Sequence, residues 1–506
     1  MLVCAVHTAM NEILPILTIG DPRLELRADP MTAEDVATGS QFRAELERMH
    51  ATLGDFRQRH GFGRAMAAPQ VGVGKRAIVM NLGATEFALL NPEIVWRSKE
   101  MFEVWDDCLS VPDRIVRVER HVSVSIRYRD EQWRERVWHR LPADLAELVQ
   151  HEIDHLDGIL MTERAHGADA VRPIAEHAAL IGQARPRRRL SLDRIARAAR
   201  EIDPVFRGSP QYSCDALNAE AGCRITLKVE TANPIRSFKG RGADFLLREV
   251  QRRGDDRQIV CASAGNWGQA LAYAGRAMGR RIVVFAAATA NPMKLEAMRR
   301  FGAEVRIAGE DFDAAKLHAK AFAEEMGAWM VEDGREPEIT EGAGSIALEL
   351  LQQGDAYDHV VAPLGNGALL NGIARWFKAA SPATLVAGVC AAGADSMQQS
   401  FATGQVVNRQ SVQTIADGIG VRAPVAEAVS DMNGLVDDVH LVTDDQILHA
   451  MRRLYLHTGL LIEPAGAAGL AAVLAKPEAF AGQHVAVVLC GSNMTQAQIR
   501  EWILQA

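Results

Sequence analysis

The sequence predicts two domains of different class, an α+β domain at the start and a longer α/β region after it. Three observations carry this expectation. At 506 residues and 55.2 kDa the chain is too long for one hydrophobic core. In the first part, short β-rich runs such as RAIVMN (76–81) and VSVSIR (122–127) accompany two helical segments, 44–59 and 143–156. In the second, strands at 258–262, 281–286 and 359–362 alternate with helices at 292–301 and 367–377, the pattern of parallel βαβ units.

Between the two lies residues 165–188, read as a linker: it is broken by proline and glycine and ends in an arginine run, a solvated charge run rather than a nucleic-acid contact. The domains are then expected at 13–164 and 189–506. A net charge of −8 and a pI near 6.0 argue against nucleic-acid partners, because neutralising phosphates needs a basic surface. Seven scattered cysteines, Cys4, Cys108, Cys214, Cys223, Cys261, Cys390 and Cys490, do not form a disulfide framework. Neither a signal peptide nor a run of eighteen apolar residues is present, so a cytoplasmic protein without membrane contact is expected.

In the first domain HEIDH (151–155) lies in the expected helix, so His151 and His155 project one turn apart from one face and can share a metal ion. Glu152 stands beside them as a base and acid for a metal-activated water. Asp154 and Asp157 on the same helix are expected on its exposed side or behind the ligands. Upstream are GRAMAAPQ (63–70) and WDDCLS (105–110). With these three segments in this order, the domain resembles the peptide deformylases, whose motifs are GxGxAAxQ, EGCLS and HExxHxxG.

That resemblance implies that Cys108, His151 and His155 hold a divalent metal, iron first, with zinc or nickel as alternatives. It implies deformylation of an N-formyl peptide or amine, with the Gln70 side chain and the Leu109 backbone N–H stabilising the oxyanion. Asp106-Asp107 stands where Glu-Gly is usual, and Ala65 where the second glycine of the first motif is usual. A catalytically inactive, structural or regulatory first domain is the alternative.

In the second region SFKGRGA (237–243) opens a helix after TANP (231–234). SAGNWGQ (263–269) and PLGNGA (363–368) are glycine-bearing turns that follow strands and enter helices, where free backbone N–H groups favour anions. With TIADGIGV (414–421), Glu463-Pro464 and CGSN (490–493), the region resembles the fold-type II pyridoxal-phosphate (PLP) enzymes of the serine/threonine dehydratase and serine racemase group.

The resemblance implies a tryptophan synthase β-like α/β fold with two subdomains, PLP as cofactor, a small amino-acid substrate and a homodimer or larger assembly. It makes Lys239 the Schiff-base lysine and Phe238 a flank of the cofactor ring. Asn266 bonds the phenolic oxygen, Gly365, Asn366, Gly367 and Ala368 form the phosphate cradle, and Cys490 faces the pyridine nitrogen. Ser263, Asn266 and Gln269 receive the substrate carboxylate. A neutral thiol at Cys490 favours β-elimination from L-threonine or L-serine. Ala264 stands where a racemase carries its second acid, and Cys390 and Ser396 stand where racemase-type metal ligands are expected. The chain ends soon after Cys490, so no amino-acid-sensing domain is expected. β-Replacement or another elimination on an unusual amino acid is the alternative reaction.

Overall fold

The computed structural model of the chain describes residues 13–60, 63–82, 86–176, 189–352 and 356–505. Cys4 and most of the arginine run before Arg189 lie outside them. The chain divides into two compact units, one of Met1–Arg188 with the short piece Ala379–Ala383, the other of Arg189–Lys378 with Thr384–Ala506.

The first unit is α+β. A five-stranded antiparallel sheet has the order Ala65–Ala67, Ala77–Asn81, Glu86–Arg97, Val124–Arg129, Glu135–Trp138. Against it packs helix Ala143–Leu156, buried from Leu145 to Leu156. Leu145, Val149 and Ile153 meet Ile78, Met80, Leu89 and Ile126 in one core. A second sheet joins Met101–Cys108 to Val111–His121 and on to Val171–Pro173, all antiparallel.

Two expectations change. The strand read from 122 begins at Val124, because Ser98 N donates to Ser123 O (2.8 Å) and Ser123 N to Ser98 Oγ (3.0 Å) at a corner before it. The segment read as linker from 165 gives its first part to this unit, because Val171–Pro173 pairs with residues 114–116.

The second unit is α/β with two subdomains. The larger carries a six-stranded sheet in the order Asp438–Val442, Leu385–Ala391, His359–Pro363, His484–Leu489, Arg224–Val229, Gln211–Ser213. All its pairs are parallel except the last. The smaller carries four parallel strands, Glu304–Ile307, Ile282–Ala286, Ile259–Ala262 and Trp329–Met330. The inner strands are near-continuous Val, Ala and Leu, as sheets covered on both faces require. Helices begin close to the expected places, at Pro292–Arg300 and Ala368–Ala380. Residues 230, 263, 365 and 490 follow the carboxyl ends of their strands, where ligands bind in open parallel sheets. Among the described residues no helix is long and apolar enough to cross a membrane.

Candidate functional site

In the first unit, Cys108, His151 and His155 are buried with their donor atoms all within 4.8 Å, the one group of three such ligands among the described residues. Helical spacing puts the two imidazoles 5.0 Å apart, centroid to centroid. Cys108 ends its strand at an irregular pairing that turns its sulfur inward, 3.2 Å from His155 Nε2.

Gln70 accepts from Ala67 N through Oε1 (2.8 Å), which aims Nε2 at Cys108 Sγ (3.6 Å) and Ser110 Oγ (3.3 Å). Leu109 is buried in the turn directly after the cysteine. Glu152 is buried with Oε2 unpartnered, and burial pushes its carboxyl up to about 7.

Asp106 explains the departure from the expected glutamate. Its Oδ2 lies 3.0 Å from His151 Nδ1 and accepts from Arg120 (2.8 Å), so the imidazole is held with Nε2 facing the cysteine. Burial pushes this carboxyl up, but Arg120 and His151 outweigh it and hold it at about 2. Arg120 also donates to Asp154 (2.5 Å), which accepts from Arg164 too (2.8 Å); Asp154 thus braces the site from behind. Asp157 pairs with Arg76 at 2.7 Å, away from the ligands.

A soft thiolate with two imidazoles, all buried, is a donor set suited to iron, zinc or nickel. The fixed tautomer of His151 fits the same use.

In the second unit, Lys239 begins helix Lys239–Arg252. The loop before it is pinned by Asn233, whose side chain bonds the backbone of Glu230, Ile235 and Ser237 (2.9–3.3 Å). It is also docked on the chain around Cys490: Phe238 N donates to Cys490 O (3.1 Å) and Ser492 N to Arg236 O (3.0 Å). Lys239 Nζ sits 4.6 Å from the Phe238 ring centroid. Burial pushes the Cys490 thiol up to about 12, so it stays neutral at ordinary pH.

Asn266 starts its helix with both ends of its amide assigned. Nδ2 donates to Glu463 Oε1 (2.7 Å), while Oδ1 accepts from Asn493 Nδ2 (2.9 Å). One N–H remains for an outside acceptor. Ser263 Oγ accepts from Gly265 N and Gly268 N (3.2 and 2.9 Å), capping that helix; Gln269 is buried one turn in. At the other turn Gly367 has φ +83° and Ala368 opens a thirteen-residue helix, whose first amides have no intrahelical acceptor. Asn366 Oδ1 is buried without a partner. A half-buried lysine, an amide-lined helix start, a neutral thiol and a spare asparagine N–H together fit PLP.

Two groups escaped the sequence: Asp333, which accepts from Lys239 Nζ at 2.5 Å, and Lys294, which pairs with Asp417 at 2.6 Å. Each lies far along the chain from its partner, and no local pattern marks it; Glu463, part of a motif read in the sequence, gains its place behind Asn266 from the structure.

Comparisons with known proteins agree with both halves. A family model for polypeptide deformylase matches residues 13–170, and one for pyridoxal-phosphate dependent enzymes matches residues 202–491. A putative threonine dehydratase of Sinorhizobium fredii is 32% identical over 317 residues, 62% of this chain and 95% of that protein. The biosynthetic L-threonine dehydratase of Pasteurella multocida is 30% identical over 302 residues, and this chain spans 59% of its length. The solved threonine deaminase isoform 2 of Solanum lycopersicum, in its processed form, superposes with a TM-score of 0.58 at 28% identity, covering 62% of this chain and 94% of that one. The chain therefore belongs to the pyridoxal-phosphate dependent enzymes, with a polypeptide deformylase domain fused ahead of that region in the same polypeptide.

Proposed function

We propose that the chain is bifunctional: a PLP-dependent ammonia-lyase acting on a hydroxy amino acid such as L-threonine or L-serine, and a metal-dependent deformylase of an N-formyl peptide or amine. The observation that carries the first activity is Lys239, held half-buried beside Phe238 by a loop docked on Cys490. The names of the relatives support the same substrate class.

In the lyase, the cofactor supplies an electron sink for the α-carbon when bound. Lys239 is its attachment point and moves the α-proton at Nζ. Asn266 offers its spare N–H, and Gly365, Asn366, Gly367 and Ala368 offer backbone amides to the phosphate. Ser263, Asn266 and Gln269 orient the substrate carboxylate. Cys490, neutral, leaves the pyridine nitrogen without a charged partner, and Ala264 brings no acid from the far side; both favour β-elimination over racemisation. Hydroxide leaves the β-carbon, and hydrolysis yields a 2-oxo acid and ammonia.

In the deformylase, Cys108, His151 and His155 hold the ion, which supplies Lewis acidity when bound. Glu152 takes a proton from the attacking water and delivers it to the departing amine, a task suited to a carboxyl held up near neutrality. Gln70 Nε2 and the Leu109 N–H stabilise the developing oxyanion. The domains extend over 13–176 and 189–506, and the protein works in the cytoplasm as a homodimer or larger.

Formate release from a formyl-Met peptide, measured on the metal-loaded wild type and on Glu152→Ala, tests the deformylase. Release by the wild type and loss in the variant is expected. No formate from the wild type assigns this domain a structural or regulatory role and leaves the lyase as the one activity.

A further inference from the structure

We propose that Asp333 is the counter-ion of Lys239 whenever that lysine is free, so that attachment of the cofactor competes with an ion pair of the protein's own. The inference rests on the reading of Lys239 as the Schiff-base lysine and adds to it a second charged group at the reacting nitrogen.

The contact is direct. Nζ donates to Asp333 Oδ2 at 2.5 Å, and the two side chains are only 16% and 14% exposed. The second carboxylate oxygen is buried without a partner, so the contact to this carboxylate runs through Oδ2 and the lysine.

The position of Asp333 is built, not incidental. Its neighbour Gly334 has φ +89°, and a Cβ there would lie 2.1 Å from Asn366 O, so this turn rests directly on the proposed phosphate cradle. Arg189 donates to the carbonyls of Gly334 (3.2 Å) and Arg335 and pairs with Asp431. Glu332 N donates to Glu336 Oε2 (2.8 Å). The turn is thus held on both sides of the aspartate.

The other ionisable groups near Lys239 are otherwise engaged. Cys490 is a neutral thiol, Glu463 accepts from Asn266 and from Asn493 N (2.9 Å), and Glu230 is bound by Arg241 at 2.7 and 2.9 Å.

An amine joins an aldehyde carbon only after losing its ammonium proton. The nitrogen then forms the C–N bond and one water leaves, with no oxidant or reductant involved. Asp333 holds that nitrogen in the ion pair, so the pair must open before the C–N bond forms. The same carboxylate receives Nζ again when substrate sets the amine free.

The test is an equilibrium titration with PLP at pH 7, read by the absorbance of the lysine-bound cofactor, in the full-length protein. Asp333→Asn keeps the size and removes the charge; it is expected to load PLP at least about threefold more tightly than the wild type. Asp333→Glu, which keeps the charge, is expected to load like the wild type. Identical affinities in wild type and Asp333→Asn would overturn the proposal, and Asp333→Ser serves in its place if the asparagine variant does not fold. Lys239→Ala separates the two readings: a full band there refutes the lysine assignment itself, whereas a lost band with unchanged PLP affinity in the aspartate variants refutes only the role of Asp333.

Discussion

Replacing Gly334 with alanine isolates the contact between its turn and the proposed phosphate cradle. An L-residue at φ +89° pays roughly 1–2 kcal/mol of left-handed strain. The added methyl would also start 2.1 Å from Asn366 O, so the Asn366 peptide must move, an overpacking cost of about 1–3 kcal/mol. Gly279 supplies the control, since it has φ +65° with nothing within 4 Å of a new Cβ. Gly279→Ala should therefore lose about 1–2 kcal/mol and Gly334→Ala about 2–5 kcal/mol. Thermal unfolding of the cofactor-free protein measures the difference, and equilibrium PLP binding measures its consequence. The Gly334 variant alone should bind PLP at least about tenfold more weakly, because the amides at the helix start are displaced. Equal losses of stability in the two variants, with unchanged PLP affinity, would refute the close approach of the two turns.

Stability should also depend on pH in a residue-specific way. Burial raises Glu463 from 4.5 to about 7, so its contribution is full below pH 4.5 and is lost as pH rises through 7, a change of about 3 kcal/mol. Glu463→Gln should flatten unfolding between pH 5 and 8, and an unflattened profile would contradict this. Arg241 is fully buried between Glu230 and Glu349, and Arg241→Met leaves the buried Glu230 carboxylate without its cation, while Glu349 keeps Lys228. A loss of about 3–5 kcal/mol is expected in chemical denaturation, and a loss under 1 would remove the network from the account. Asp106→Asn should lower metal retention on dialysis about 10–100-fold by freeing His151, and unchanged retention would show that this carboxylate is dispensable.

What the sequence revealed followed the range of the interactions concerned. The spacing of His151 and His155 is a local property of one helix, and the turns after strands at Ser263 and Gly365 are equally local, so they could be read directly. Cys108 needed the resemblance, because its approach to His155 depends on an irregularity in strand pairing. Asp106 looked like a departure from the motif, yet it performs a shorter carboxylate's version of holding His151, with Arg120 arriving from the neighbouring strand. Asp333 is 94 residues from Lys239, and Glu463 is 197 residues from Asn266. Such pairs exist only once the parallel strands have brought their carboxyl ends together. The strand Val171–Pro173 was hidden for a related reason: three exposed residues carry no apolar alternation, and only their pairing with residues 114–116 makes them a strand.

The central claim is that Lys239 attaches PLP and carries the elimination. Release of 2-oxo acid from L-threonine and L-serine by the PLP-loaded wild type and by Lys239→Ala tests it most directly. The account predicts product from the wild type with at least one of the two substrates and none from the variant. Equal product from both proteins, or none from the loaded wild type, would contradict it.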